Sequence, residues 1–160
     1  MPQPAFLLSI VGLSVSLAGF SGLVSAFRRG STLRAADTYR LRQIPEMALP
    51  TGFIALVSLA LADSTGNASL TIRIAGGAGL LFTIFNALVL IRRLSSMQVR
   101  LRMADSVLAT ILNLAAIGAG VACVAVPSAG SLEWLLALLI ARPGAAFLLA
   151  LSDVTGVEAH

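Results

Sequence analysis

The sequence predicts an all-α integral membrane protein with four transmembrane helices and a fifth, proline-broken helix at its C-terminal end. Three observations predict it. The 160 residues are 58% hydrophobic and only 11% charged, with a mean hydropathy of +0.94, whereas a soluble domain carries about 25% charged residues. Apolar runs recur at the length of about 20 residues that a helix needs to cross a 30 Å hydrocarbon core. Nine of the eleven basic residues, all arginine, fall in two short stretches between those runs. Positively charged loops stay cytoplasmic, so the alternation orients the chain as well as placing it. Four or five helices with short connections use the whole length, giving a single transmembrane domain over 1–160.

The first helix is expected over about 4–27, ended by Arg28-Arg29-Gly30. Val24-Ser25-Ala26 resembles a signal cleavage site. The preceding run is too long and lacks a positive start, so it reads as a retained anchor with its N-terminus outside. Ser31 or Thr32 can cap the second helix, about 33–62, because a hydroxyl satisfies free N–H groups there. Its first part, 33–44, is amphipathic, and Pro45 and Pro50 should kink it. The outer turn, 63–69, holds Gly66-Asn67. Asn67-Ala-Ser69 fits a glycosylation sequon, but in so short a loop it reads as chance. The third helix, about 70–93, carries Arg73 near its outer end, where it can snorkel to water. It leads into a second inner loop, Arg92 to Arg102. The fourth, about 104–126, stops at Pro127, and an uncharged turn follows.

The last segment, 132–151, has Arg142-Pro143-Gly144 at its middle. A crossing helix would put the C-terminus in the cytoplasm; a re-entrant hairpin would leave it outside. Arginine at mid-depth costs roughly 2.5–3.5 kcal/mol, which the surrounding Leu, Ala and Ile can offset. The free backbone groups of a hairpin would need burial in protein, and the crossing is favoured. The single Trp134 and single Tyr39 fall near interfaces, where such rings prefer to lie. Arg28-Arg29-Gly-Ser-Thr echoes Arg92-Arg93-Leu-Ser-Ser, and Arg40-Leu-Arg42 echoes Arg100-Leu-Arg102. This reads either as a tandem hairpin repeat or as two inner loops obeying one charge rule.

A net charge of +4 and a pI near 11.0 raise nucleic-acid binding, but no basic surface stands apart from the membrane segments. Arg28, Arg29, Arg92, Arg93, Arg100 and Arg102 instead suit anionic lipid of the cytoplasmic leaflet. Cys123 is the only cysteine, which rules out an intrachain disulfide and suits a small packing residue. The sole histidine is His160. That argues against histidine catalysis, histidine metal clusters and a serine triad, which would lack its base. Neither an HExxH nor a phosphate-cradling GxxxxGK[ST] motif occurs. The acids Asp37, Asp63, Asp105, Glu133, Asp153 and Glu158 fall at helix ends or loops. The reading is of no enzyme, no cofactor and no metal.

Ser14, Ala18, Gly22 and Ala26 are spaced by four on the first helix, and Ala75 with Gly79 and Ala116 with Gly120 repeat the theme. Small residues let helix backbones approach closely, within the monomer or across an oligomer. Glu46 sits one turn beyond Arg42 and can pair with it; beside two prolines, a membrane carboxylate could instead bind a cation or proton. Asn86 and Asn113, both toward the cytoplasmic half, could hydrogen-bond to each other across their helices or line a polar pathway. Arg142 has no acidic residue on its own helix face. It reads as snorkelling or carbonyl-bonded, with an anion or lipid-headgroup site as the alternative.

Ala18-Gly19-Phe20-Ser21-Gly22, the Asp37-Thr-Tyr-Arg40-Leu-Arg42-Gln-Ile-Pro-Glu46 segment, and Trp134 with Phe147 in the last helix resemble a set of small uncharacterised bacterial multi-spanning membrane proteins. Pro45 and Arg142-Pro143 depart from that pattern. The resemblance implies membrane placement and no established activity. The expectation is a small non-enzymatic protein of the cell inner membrane that assembles through helix faces, as a homo-oligomer or a subunit of a larger complex. The alternative is an ion channel or small transporter using Glu46, Asn86 and Asn113. A more remote reading is lipid-dependent membrane shaping through the inner arginines.

Overall fold

A computed structural model describes residues 2–27, 35–97 and 103–155. They form five helices: α1 (Pro4–Phe27), α2 (Ala35–Thr65), α3 (Ala68–Met97), α4 (Met103–Ala125) and α5 (Ala129–Thr155), with no strand among the described residues. Each contains a stretch long and apolar enough to cross a bilayer: Pro4–Ala26, Leu41–Thr65, Ala68–Val89, Val107–Ala125 and Ala129–Leu149. The outer surface carries large apolar side chains, Phe53, Leu81 and Phe85 among them. Water would make such a surface an aggregation patch; a lipid solvent requires it. The chain is an all-α, multi-pass membrane protein.

The turns are shorter than expected because local caps close them. Gly66 takes φ 60°, and its N–H donates to the Ala62 carbonyl at 3.1 Å. This is the left-handed helix end that glycine adopts without strain. Asn67 then caps α3, its Oδ1 accepting the Leu70 N–H at 3.1 Å, so the sequon asparagine has a structural task. At the start of α5, the Ser131 N–H donates to Ser128 Oγ at 3.1 Å and the Ser128 N–H to Ser131 Oγ at 3.3 Å. This reciprocal cap starts α5 at 129 rather than 132. Ser128→Ala should cost about 1 kcal/mol, seen as faster amide exchange in the first turn of α5 and unchanged exchange in α3.

The re-entrant hairpin is overturned. α5 runs unbroken through Arg142-Pro143-Gly144, and α2 likewise continues through Pro45 and Pro50. Proline deletes one helical hydrogen bond, but in a membrane an unravelled segment would expose many more backbone groups to lipid, so continuing the helix costs less.

α5 touches all four other helices. The antiparallel pairs α1–α2 and α3–α4 lie about it, and among the described residues α1 meets neither α3 nor α4. Leu132, Leu135 and Leu136 of α5 are fully enclosed and join Leu7, Ile10, Ile54, Ile72 and Cys123 in the main core. A smaller cluster, Leu41 and Ile44 against Leu17, Val24 and Phe147, closes the end of the bundle that carries the arginine-rich stretches. There Phe20 and Phe147 rings lie 6.1 Å apart. Glycines set the close approaches: Gly52 against Ser14, Gly76 against Cys123, Gly79 against Leu135 and Gly120 against Leu80. Several buried hydroxyls close on their own helix, as Thr51 does on the Met47 carbonyl at 2.8 Å, Ser58 on Ile54 at 2.6 Å and Thr83 on Gly79 at 2.8 Å. Each thereby satisfies its donor without a partner in lipid.

Candidate functional site

Arg142 lies three residues past the middle of the Ala129–Leu149 span, roughly 4–5 Å toward the arginine-rich end. Asn113 lies three residues from the middle of Val107–Ala125 on the same side. Antiparallel packing of α4 and α5 therefore puts them at one depth. Arg142 Nη1 donates to Asn113 Oδ1 at 2.5 Å, and Arg142 Nη2 is buried beside it. The Cα–Cβ bond of a helical residue tilts toward the helix N-terminus, here away from the arginine-rich end, which works against snorkelling. The guanidinium turns into the bundle and takes an amide partner instead.

Asn86 lines the same small cavity as Asn113 and Arg142, but its Nδ2 donates to the Phe82 carbonyl of its own helix at 2.9 Å. The bond across helices is thus Arg142 to Asn113, between α5 and α4, and not Asn86 to Asn113. The cavity measures about 10 Å³ and is walled also by Met47, Thr83, Ala116 and Leu139.

Glu46 does not join this cluster. Its Oε1 accepts from Arg42 Nε at 2.7 Å, with the two side chains 37% and 71% exposed. Both lie on the outer face of α2 with Leu49 and Phe53, while the adjacent Met47 turns inward to the cavity wall. A pair of this spacing contributes about 0.3–0.5 kcal/mol on an exposed helix. Of the expected pathway residues, Asn86, Asn113 and Arg142 come together; Glu46 and Arg42 stand apart.

The small residues of α1 divide by face. Leu7, Ile10, Ser14 and Ser21 are buried, a 3–4 alternation that keeps one face toward α2 and α5. A strict spacing of four drifts about 40° round the helix at each step. Hence Ser14 is buried, Ala18 half-buried, and Gly22 and Ala26 are exposed; the expected four-residue stripe is not one interface. Diametrically outward lies a face not singled out from the sequence, Ala5, Ser9, Gly12, Ser16 and Gly19, exposed throughout. Added Cβ atoms on Gly12 or Gly19 would meet nothing within 4 Å. Leu8 and Val15 stand on one flank of this face and Leu13 and Phe20 on the other, each more than half exposed, so it forms a shallow groove. Its signal was the seven-residue step from Gly12 to Gly19. On α3 and α4, by contrast, Ala75, Gly79, Ala116 and Gly120 are buried within the monomer.

Arg28, Arg29, Arg100 and Arg102 lie outside the described residues, as do the side chains of Arg93 and Tyr39. Arg92 is exposed near the end of α3. Trp134 is 69% exposed, in the half of the bundle away from the arginine-rich stretches. Among the described residues no three His, Cys, Asp or Glu side chains gather as a metal site. Compared with known proteins, the chain matches no family model, no curated protein sequence and no solved structure.

Proposed function

We propose that this chain is a non-enzymatic assembly protein of a bacterial inner membrane that associates with further copies of itself through the outer face of α1. The supporting observation is the groove of Ala5, Ser9, Gly12, Ser16 and Gly19, open along the helix and rimmed by large apolar side chains. Lipid tails are as apolar as leucine, so helices associate in a membrane by close packing, and small residues permit it. Two copies related by a two-fold axis along the membrane normal would present the same groove to each other, an isologous contact. In this reading the N-terminus is outside, and the arginine-rich stretches and the C-terminus face the cytoplasm and its anionic lipids.

Native mass spectrometry from lipid nanodiscs tests the proposal. The unaltered chain should give dimers or higher oligomers, and Gly19→Leu, which fills the groove without touching the monomer core, should give monomers of unchanged thermal stability. A wild-type chain found only as a monomer overturns it. A monomer that co-purifies with a different membrane protein, lost in Gly19→Leu, replaces self-association with a subunit role.

A further inference from the structure

We propose that the cavity between α2, α3, α4 and α5 is a binding site for one water molecule, which takes up the Leu139 carbonyl that Pro143 leaves without a helical donor and joins it to Asn86, Asn113 and Arg142. The first observation is size. The cavity is about 10 Å³, at the lower limit of 10–15 Å³ that admits one water. A phosphate group or a hydrated ion does not fit. The second is its polar lining. An apolar void of this kind stays dry, whereas a water needs two to four polar partners, and Asn86, Asn113 and Arg142 all line it. Asn113 is 8% exposed, so its amide has little other access to solvent.

The third observation comes from the backbone and is independent of the side chains. Proline carries no N–H, so Pro143 cannot supply the bond that the carbonyl four residues earlier, Leu139, would receive. Leu139 is 8% exposed and is itself a wall of the cavity, and Pro143 is among the fully buried side chains. Ordered water is one of the means by which proline-freed carbonyls are satisfied inside a membrane. The proline and the polar cluster, separate oddities in the sequence, thus meet at one place, and the water accounts for both.

The test is magnetisation transfer from water to the side-chain amides of Asn86 and Asn113 in the ¹⁵N-labelled full chain in lipid nanodiscs. Both should show cross-peaks at a depth where bulk water is excluded. Absence of transfer to both overturns the site. Pro143→Ala restores the N–H to the Leu139 carbonyl, removes one of the water's partners and should diminish the Asn113 cross-peak. If that cross-peak is unchanged, the Leu139 carbonyl is not part of the site.

Discussion

Alanine at position 76 is expected to destabilise the bundle by about 3 kcal/mol, the upper end of the usual cost of overpacking. A methyl group there would overlap Cβ of Cys123, with the Cys123 backbone directly behind it. A long flexible side chain could swing away; a Cβ fixed to a helix backbone cannot, so α3 and α4 must separate. Separation would also loosen Gly120 against Leu80, where an added Cβ already falls 2.9 Å from Leu80 Cβ. Gly77, one residue on, faces open space. Gly77→Ala should be neutral or stabilising by up to about 1 kcal/mol, the difference in helix propensity. The compensating change is specific: Cys123→Gly removes the clashing atom, so Gly76→Ala with Cys123→Gly should recover most of the loss, whereas Cys123→Ala keeps the Cβ and should not. Reversible unfolding in mixed micelles measures all four variants. Equal stability of the Gly76 and Gly77 alanine variants would show that α3 and α4 are not in backbone contact.

This pair also marks where sequence reasoning stopped. The apolar runs located all five helices within a few residues because length and hydropathy are properties of each segment alone. Which side of a helix faces inward is different. In water, burial writes an apolar stripe; in a bilayer, Leu8 facing lipid and Leu7 facing the core are the same residue type. Residue size, rather than polarity, then separates the faces, and glycine serves both. Gly76 is small because a helix presses on it, and Gly12 is small with nothing near it. Only the packing tells them apart.

The fifth helix and the polar cluster repeat the point. Pro143 reads as a break on propensities measured in water, yet four neighbouring helices surround α5 and lipid penalises any unravelling. Arg142, Asn113 and Asn86 were each conspicuous in the sequence as polar groups within apolar runs. Their pairing depends on the rotation and register of three helices, which no single segment encodes. Glu46 was equally conspicuous, but α2 turns it outward to Arg42. The Ser128 and Ser131 cap was visible as a pair three residues apart, and a glutamate or glutamine is the more familiar partner in that position.

Asn113→Leu should destabilise the fold by about 1.5–3 kcal/mol, the range for a hydrogen bond to a charged group. Neutral interhelical hydrogen bonds in membranes average about 0.6 kcal/mol, so the larger value would identify the charge on Arg142 as the source. Leucine fills the amide's volume with apolar atoms and takes away the acceptor that Nη1 of a part-buried guanidinium has at 2.5 Å. Arg142→Leu acts in the opposite sense on one component, since an arginine near mid-membrane costs roughly 2.5–3.5 kcal/mol to place there. Once that charge is absent, leucine at 113 strands nothing. The double variant should therefore be more stable than Asn113→Leu alone, in line with buried charged groups replaced by apolar residues of similar volume. The coupling between the two positions should be about 2 kcal/mol. Asn86→Leu removes no direct bond to Arg142, since the Asn86 amide donates to its own helix, and should show a smaller coupling to Arg142, carried through the shared water alone. If Asn113→Leu and Arg142→Leu prove additive, the 2.5 Å contact contributes nothing of its own to holding α4 against α5, and the arginine is retained for a reason outside the fold.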